Sequence, residues 1–107
     1  MQCQKCGINI EQEDFTDLHR IEYHHLHPSF MDNPKGLGRT IPLCRHCHIV
    51  RLHPMIFDII RKHSNLFCNK NKSWHWVWNY HVAPINRQEC INEVINFTER
   101  WLGEANN

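Results

Sequence analysis

The feature that most constrains this chain is a doubled cysteine spacing, Cys3-x2-Cys6 and Cys44-x2-Cys47. Each pair sets two thiols on or beside one turn, and two such pairs supply the ligand set of a closed tetrahedral zinc site. The alternatives are four reduced, unliganded thiols or a disulfide pair. The N-terminal stretch MQCQKCGINI has no basic region followed by an apolar one, so no secretory signal is expected and a reducing, cytoplasmic setting follows. Disulfides are disfavoured there, and structural zinc on Cys3, Cys6, Cys44 and Cys47 is the expectation. The gap between the pairs is longer than in a compact zinc ribbon, so a segment must loop out between them. Cys68 and Cys90 lack a partner motif and are expected as small core residues.

The looped-out segment carries "YHHLHP" (Tyr23 to Pro28), three histidines within four positions. Histidine is the commonest protein metal ligand and titrates near neutrality, so the stretch suits a metal site or a proton-transfer site, unless it is a chance enrichment. The wider chain narrows the choice. With 107 residues, 41% of them apolar, it can bury one modest core, and no apolar run approaches the roughly 20 residues of a membrane span. Charge is uneven: Lys35 to Lys72 holds eight Lys or Arg and one acid, Asp58, although the whole chain is only +1. A basic block flanking the histidines suits a polyanionic partner, and a solvated face with no partner is the competing reading.

Local patterns divide the chain into an acidic N-terminal part (1–18), a histidine-bearing part (19–53) and a mostly helical part (54–107). Alternation across Leu18 to Leu26 predicts a strand, the Pro34/Gly36/Gly38 loop a turn region, and Arg39 to Leu43 a second strand. HIVRL after Cys47 reads as helical, and Pro54 is expected to start a fresh helix reaching Phe67. In that helix Ile56, Ile59, Ile60 and His63 share a face. Trp74 to Val82 fits either a strand or a helix. Asn86 with Glu89 predicts the N-cap of a last helix, and Gly103 its C-cap.

Two adjacent histidines closing a strand, a loop, then IPLCRHCHIVRLH with His48 after Cys47 resemble the HNH endonucleases of the ββα-metal fold. The likeness is to the subgroup with a four-cysteine zinc knuckle, and it covers residues 3 to 53. It implies an α+β fold: a small zinc-stabilised ββα-metal core (1–53) with additional C-terminal helices (54–107), in one domain. It also implies metal-dependent hydrolysis of DNA phosphodiesters, with RNA left open, and a phage or mobile-element setting. By the same likeness His25 matches the general base, and His24 and His48 match ligands of a catalytic divalent metal. The chemistry is coherent on its own terms. A neutral imidazole can deprotonate water, a cation can relieve charge on the leaving oxygen, and neighbouring strand residues face opposite ways, so His24 and His25 need not compete.

Two departures stand out. The family's asparagine, nine residues before the helix histidine, is replaced by Arg39, which cannot copy an amide's donor-and-acceptor role but can grip a phosphate. A second helix histidine is expected at position 52, but that position is leucine and the histidine is His53. Five α-helical residues turn about 140° away from the starting face, so His53 joins the metal only if Pro54 ends the helix at Leu52 and lets it swing back. Lys35, Arg39, Arg45 and Arg51 are the candidate nucleic-acid contacts. Trp74, Trp76 and Trp78 can stack on bases, but core positions are commoner for tryptophan. His27 and His46 are expected at the surface. The rival readings are an inactive zinc-knuckle module that binds nucleic acid, and a protein-interaction adaptor. With nitrogen ligands only, manganese, nickel, cobalt or zinc suits the catalytic position better than magnesium.

Overall fold

Isoleucine, tyrosine and threonine favour extended backbone, and two short segments rich in such residues pair here. Strand β1 (Ile21–His25) runs antiparallel to β2 (Thr40–Cys44), with Ile21 opposite Cys44 and His25 opposite Thr40. The computed structural model describes residues 1–9, 20–65 and 73–104. The first strand is therefore shorter than the alternation suggested, and Leu18 and His19 lie outside the described residues. A strand proline is tolerable only at an edge. Pro42 sits in β2, and its carbonyl accepts the Gln4 N–H from the N-terminal knuckle (2.8 Å). That knuckle is a tight hairpin in which Gln2 bridges Asn9 and Gly7 turns with φ +80°, a conformation few other residues adopt.

After β2 the chain winds as a helix from His46 to His63, in two modes. His46–Leu52 is a π-helix, and His53–His63, α1, is an α-helix that continues it without a break. The helix therefore does not end at Leu52. Two physical reasons account for the wide turn. Buried positions Cys47, Leu52, Ile56 and Ile60 are spaced five, four and four apart, so the first interval needs i→i+5 winding to keep both ends facing inward. Pro54 has no N–H to donate, and its ring would collide with the Val50 carbonyl in a regular α turn. The predicted extension to Phe67 is not seen: α1 ends at His63 with Ser64 extended, and Phe67 lies outside the described residues.

The ambiguous tryptophan stretch is a helix, α2 (Trp74–His81), capped by Ser73, whose hydroxyl accepts the Trp76 N–H. Helix α3 (Pro84–Gly103) begins two residues before the expected cap: Pro84 takes the first turn, where its missing N–H costs nothing, and Ala83 is the N-cap. Gly103 stays helical and Glu104 ends the helix, so no left-handed glycine cap forms.

The result is a small mixed α+β fold with a ββα-like layout of β1, β2 and the long helix, backed by α2 and α3. Trp78, Ile41, Leu43, Leu52, Ile56, Ile60 and Val94 are fully buried between the layers. Truncating an aromatic buried as Trp78 is would cost roughly 3–5 kcal/mol. Cys90 is buried too, and burial first of all pushes its thiol up to about 12, as expected of an inert core cysteine. Two cations tie the layers together. The Arg87 guanidinium donates to Asp32 Oδ1 (3.1 Å) and to the carbonyls of Trp78 (3.1 Å) and Asn79 (3.2 Å), joining the loop between the strands to both later helices. Buried Lys5 donates to the carbonyls of Trp101 and Glu104, closing the end of α3 onto the cysteine knuckle. No helix among the described residues is long and apolar enough to cross a membrane.

Candidate metal centres and cleft

Two groups of donor atoms converge, one of sulfur and one of nitrogen. Cys3, Cys6, Cys44 and Cys47 hold their sulfurs within 4.8 Å of one another. Cys6 and Cys44 are 3.8 Å apart, far beyond a disulfide bond and equal to the edge of about 3.8 Å that Zn–S bonds of about 2.3 Å give a tetrahedron. The first pair comes from the hairpin, and the second from the end of β2 and the π-helix, where the Cys47 N–H points at Cys44 Sγ. Burial raises Cys44 and Cys47, and for Cys3 it is outweighed by amide hydrogen bonds that bring the thiol down to about 7. A cation among the four sulfurs would hold them as thiolates, and zinc fits the donor set.

The nitrogen group is His24, His48 and His53, again within 4.8 Å. His24 comes from β1, His48 from the π-helix and His53 from the first position of α1. His48 Nε2 lies 3.2 Å from His24 Nδ1 and 2.8 Å from His53 Nε2. Nitrogens about 2.1 Å from a shared ion would stand about 3.0–3.4 Å apart; the His24 contact falls in that span and the His53 contact just short of it, so the three could hold a divalent metal. The i→i+5 winding is what carries His53 above His48; no swing out of the helix is involved. Burial, then the neighbouring imidazoles, pushes His24 down to about 3, and burial, then His48, pushes His53 down to about 4. Both are therefore neutral and able to donate lone pairs at pH 7.

Glu22 was not singled out in the sequence. Its carboxylate meets His48 Nδ1 at 3.1 Å and is itself held by Arg20 at 2.8 Å. Those two partners outweigh burial and lower its carboxyl. A carboxylate on one ring nitrogen fixes the tautomer that leaves the other free for metal. The available signal was alternation: Glu22 and His24 are two apart on a strand and share a face.

His25 lines the same cleft, of about 390 Å³, as the three clustered histidines. Its Nδ1 is buried with no partner among the described residues, as is His24 Nε2. Gly36, at φ +60°, lies against the His25 ring, and a β-carbon there would approach its Cε1 to 3.0 Å. Glycine meets both constraints without strain. The loop carrying Gly36 is braced by Asn33, which is buried. Its amide donates to the carbonyls of His27 (2.8 Å) and Leu37 (3.0 Å), and its Oδ1 accepts the Leu37 N–H (3.0 Å). Asn33 thus braces this loop as both donor and acceptor.

The basic candidates do not gather at the cleft. Lys35 and Arg39 are exposed, and Arg45 is half-buried. Arg51 sits 5.6 Å above the Trp101 ring, with Nη1 3.8 Å from Cys47 Sγ, beside the sulfur group. His46 is exposed as expected, whereas His27 is half-buried, with Nε2 2.6 Å from the Met31 carbonyl. Comparison of the chain with family models, curated proteins and solved structures found no match.

Proposed function

We propose that this protein is a metal-dependent endonuclease of the HNH type, acting on DNA. The observation that carries the reading is the division of labour among imidazoles: three are gathered for a metal and a fourth, His25, stands free in the same cleft. Cys3, Cys6, Cys44 and Cys47 would hold a structural zinc, and His24, His48 and His53 the catalytic ion. When bound, that ion would supply positive charge for the phosphoryl oxygens and the departing 3′ oxygen. His25 would take the proton from the attacking water. Its Nδ1 is sealed from solvent, so the proton would move at Nε2. Glu22 would hold His48 in orientation, and Arg39, exposed just before β2, would reach the phosphate backbone. The replacement of the family asparagine by Arg39, the strongest sequence point for an inactive module, loses force because Asn33 braces the loop.

A plasmid-nicking assay over a metal series tests this. Nicking is expected with manganese, nickel or cobalt and more weakly with magnesium, because three imidazoles lack the hard oxygen ligands magnesium prefers. His25→Ala should cut roughly 10²–10⁴-fold more slowly while still binding metal and DNA. No cleavage with any of these ions would turn the reading to a binding module.

A further inference from the structure

Beside the clustered imidazoles, the cleft has a wall that neither metal binding nor proton transfer uses. It consists of Phe30, from the loop after β1, and of Trp74 and His75, the first two residues of α2. The Trp74 ring centroid lies 4.4 Å from that of His53 and 5.5 Å from that of Phe30, so the wall begins one ring away from a metal ligand. Phe30 and His75 overlap at 4.6 Å with their planes 37° apart. Core packing accounts for Val77 and Trp78, which are buried farther along α2, and for the inner edges of Phe30 and Trp74, which are partly buried against the core. It does not account for His75, which is exposed to solvent yet turned onto Phe30 at the mouth of the cleft.

We propose that Phe30, Trp74 and His75 form a nucleobase-stacking subsite, and that the strand cut at the imidazole cluster is single-stranded there. The inference rests on the nuclease reading above and names its substrate. With a phosphate at the imidazoles, a neighbouring base lies one sugar away, and the wall begins at the Trp74 ring beside His53. Every base has a π face, so aromatic rings hold it with little regard to sequence. A base inside a duplex is already stacked on its neighbours and must leave them to reach the wall, whereas a single strand offers it freely.

The test uses the zinc-loaded protein and short oligothymidylates, matched abasic strands and duplexes of the same length, with binding followed by tryptophan fluorescence. Oligothymidylate should bind about ten-fold tighter than the abasic strand, and quench the fluorescence. It should also bind tighter than the duplex. His75→Ala, a change on an exposed helical position, should narrow the thymidylate-to-abasic gap by about three-fold or more, and Phe30→Leu should do the same with the apolar volume kept. Equal affinity for thymidylate and abasic strands overturns the proposal. The two readings separate in the cleavage arm. Preferential binding without cutting under any metal leaves the subsite standing and removes the nuclease. Equal cutting of base-bearing, abasic and duplex strands keeps the nuclease and removes the subsite.

Discussion

The sulfur cluster and the imidazole cluster each gather their donors within 4.8 Å, but by opposite means. Each cysteine pair is local, two residues three apart on one turn, and only the two turns must meet. The group is closed in by Lys5, Arg51 and Trp101, and Lys5 links it to the end of α3. The imidazoles come from a strand and from two windings of one helix, and they open onto a cleft. A closed sulfur group suits a structural staple, while an open nitrogen group with positions to spare suits a metal that meets a substrate. Removing the first should therefore cost the fold, and removing the second only the chemistry.

The largest effect should come from the sulfur side. Strong chelation, or Cys44→Ser, is expected to remove close to one zinc per chain and the tertiary structure with it, because in so small a core metal binding is folding energy. Elemental analysis beside near-UV circular dichroism checks this. A zinc-free protein with native dichroism would erase the contrast between the clusters.

On the nitrogen side, Glu22→Gln should leave zinc content and fold intact and weaken metal binding at the imidazoles roughly 10–100-fold. Titration of the zinc-loaded protein with cobalt or nickel, followed by quenching of Trp74 beside His53, reports it. An unchanged affinity would mean that Glu22 does not orient His48.

A smaller effect is expected from acid. His24 and His53 have folded-state values of about 3 and about 4, below the ordinary imidazole value near 6.5. Between those limits the unfolded chain binds more protons than the folded one, so the stability they contribute is present above about pH 6.5 and is lost as pH falls toward about 4 for His53 and about 3 for His24. Thermal melts of zinc-loaded protein without the second metal should fall across that window, and less steeply for His53→Gln. Equal slopes would show that His53 is not buried in this cluster.

The smallest expected effect is the most pointed. If the π turn absorbs one extra residue between two fixed helix faces, deleting exposed Val50 should remove the wide turn and leave an α-helix kinked only at Pro54. His48 and the following histidine would then be four apart on one face. Metal affinity should change by no more than about three-fold, or about 0.65 kcal/mol. Loss of the site on deletion would show that the winding, and not the shared face, holds the imidazoles.

What the sequence determined by itself is whatever depends on near neighbours. The two CxxC pairs announced a four-thiol group, alternation placed both strands to within a few residues, and the adjacency of His24 and His25 put two imidazoles at one strand end. The position of His53 was different. Counting 100° per residue sent it to the wrong face, and the spacing of Cys47, Leu52, Ile56 and Ile60 that corrects the count has meaning only once all four are known to face one core. Asn33 and Glu22 likewise act through partners the chain brings close only by folding: a loop turning back on itself, and a strand lying beside a helix. Local backbone preference is written residue by residue. Which winding, which asparagine and which carboxylate serve the site is decided by the packing that leaves each of them one place to be.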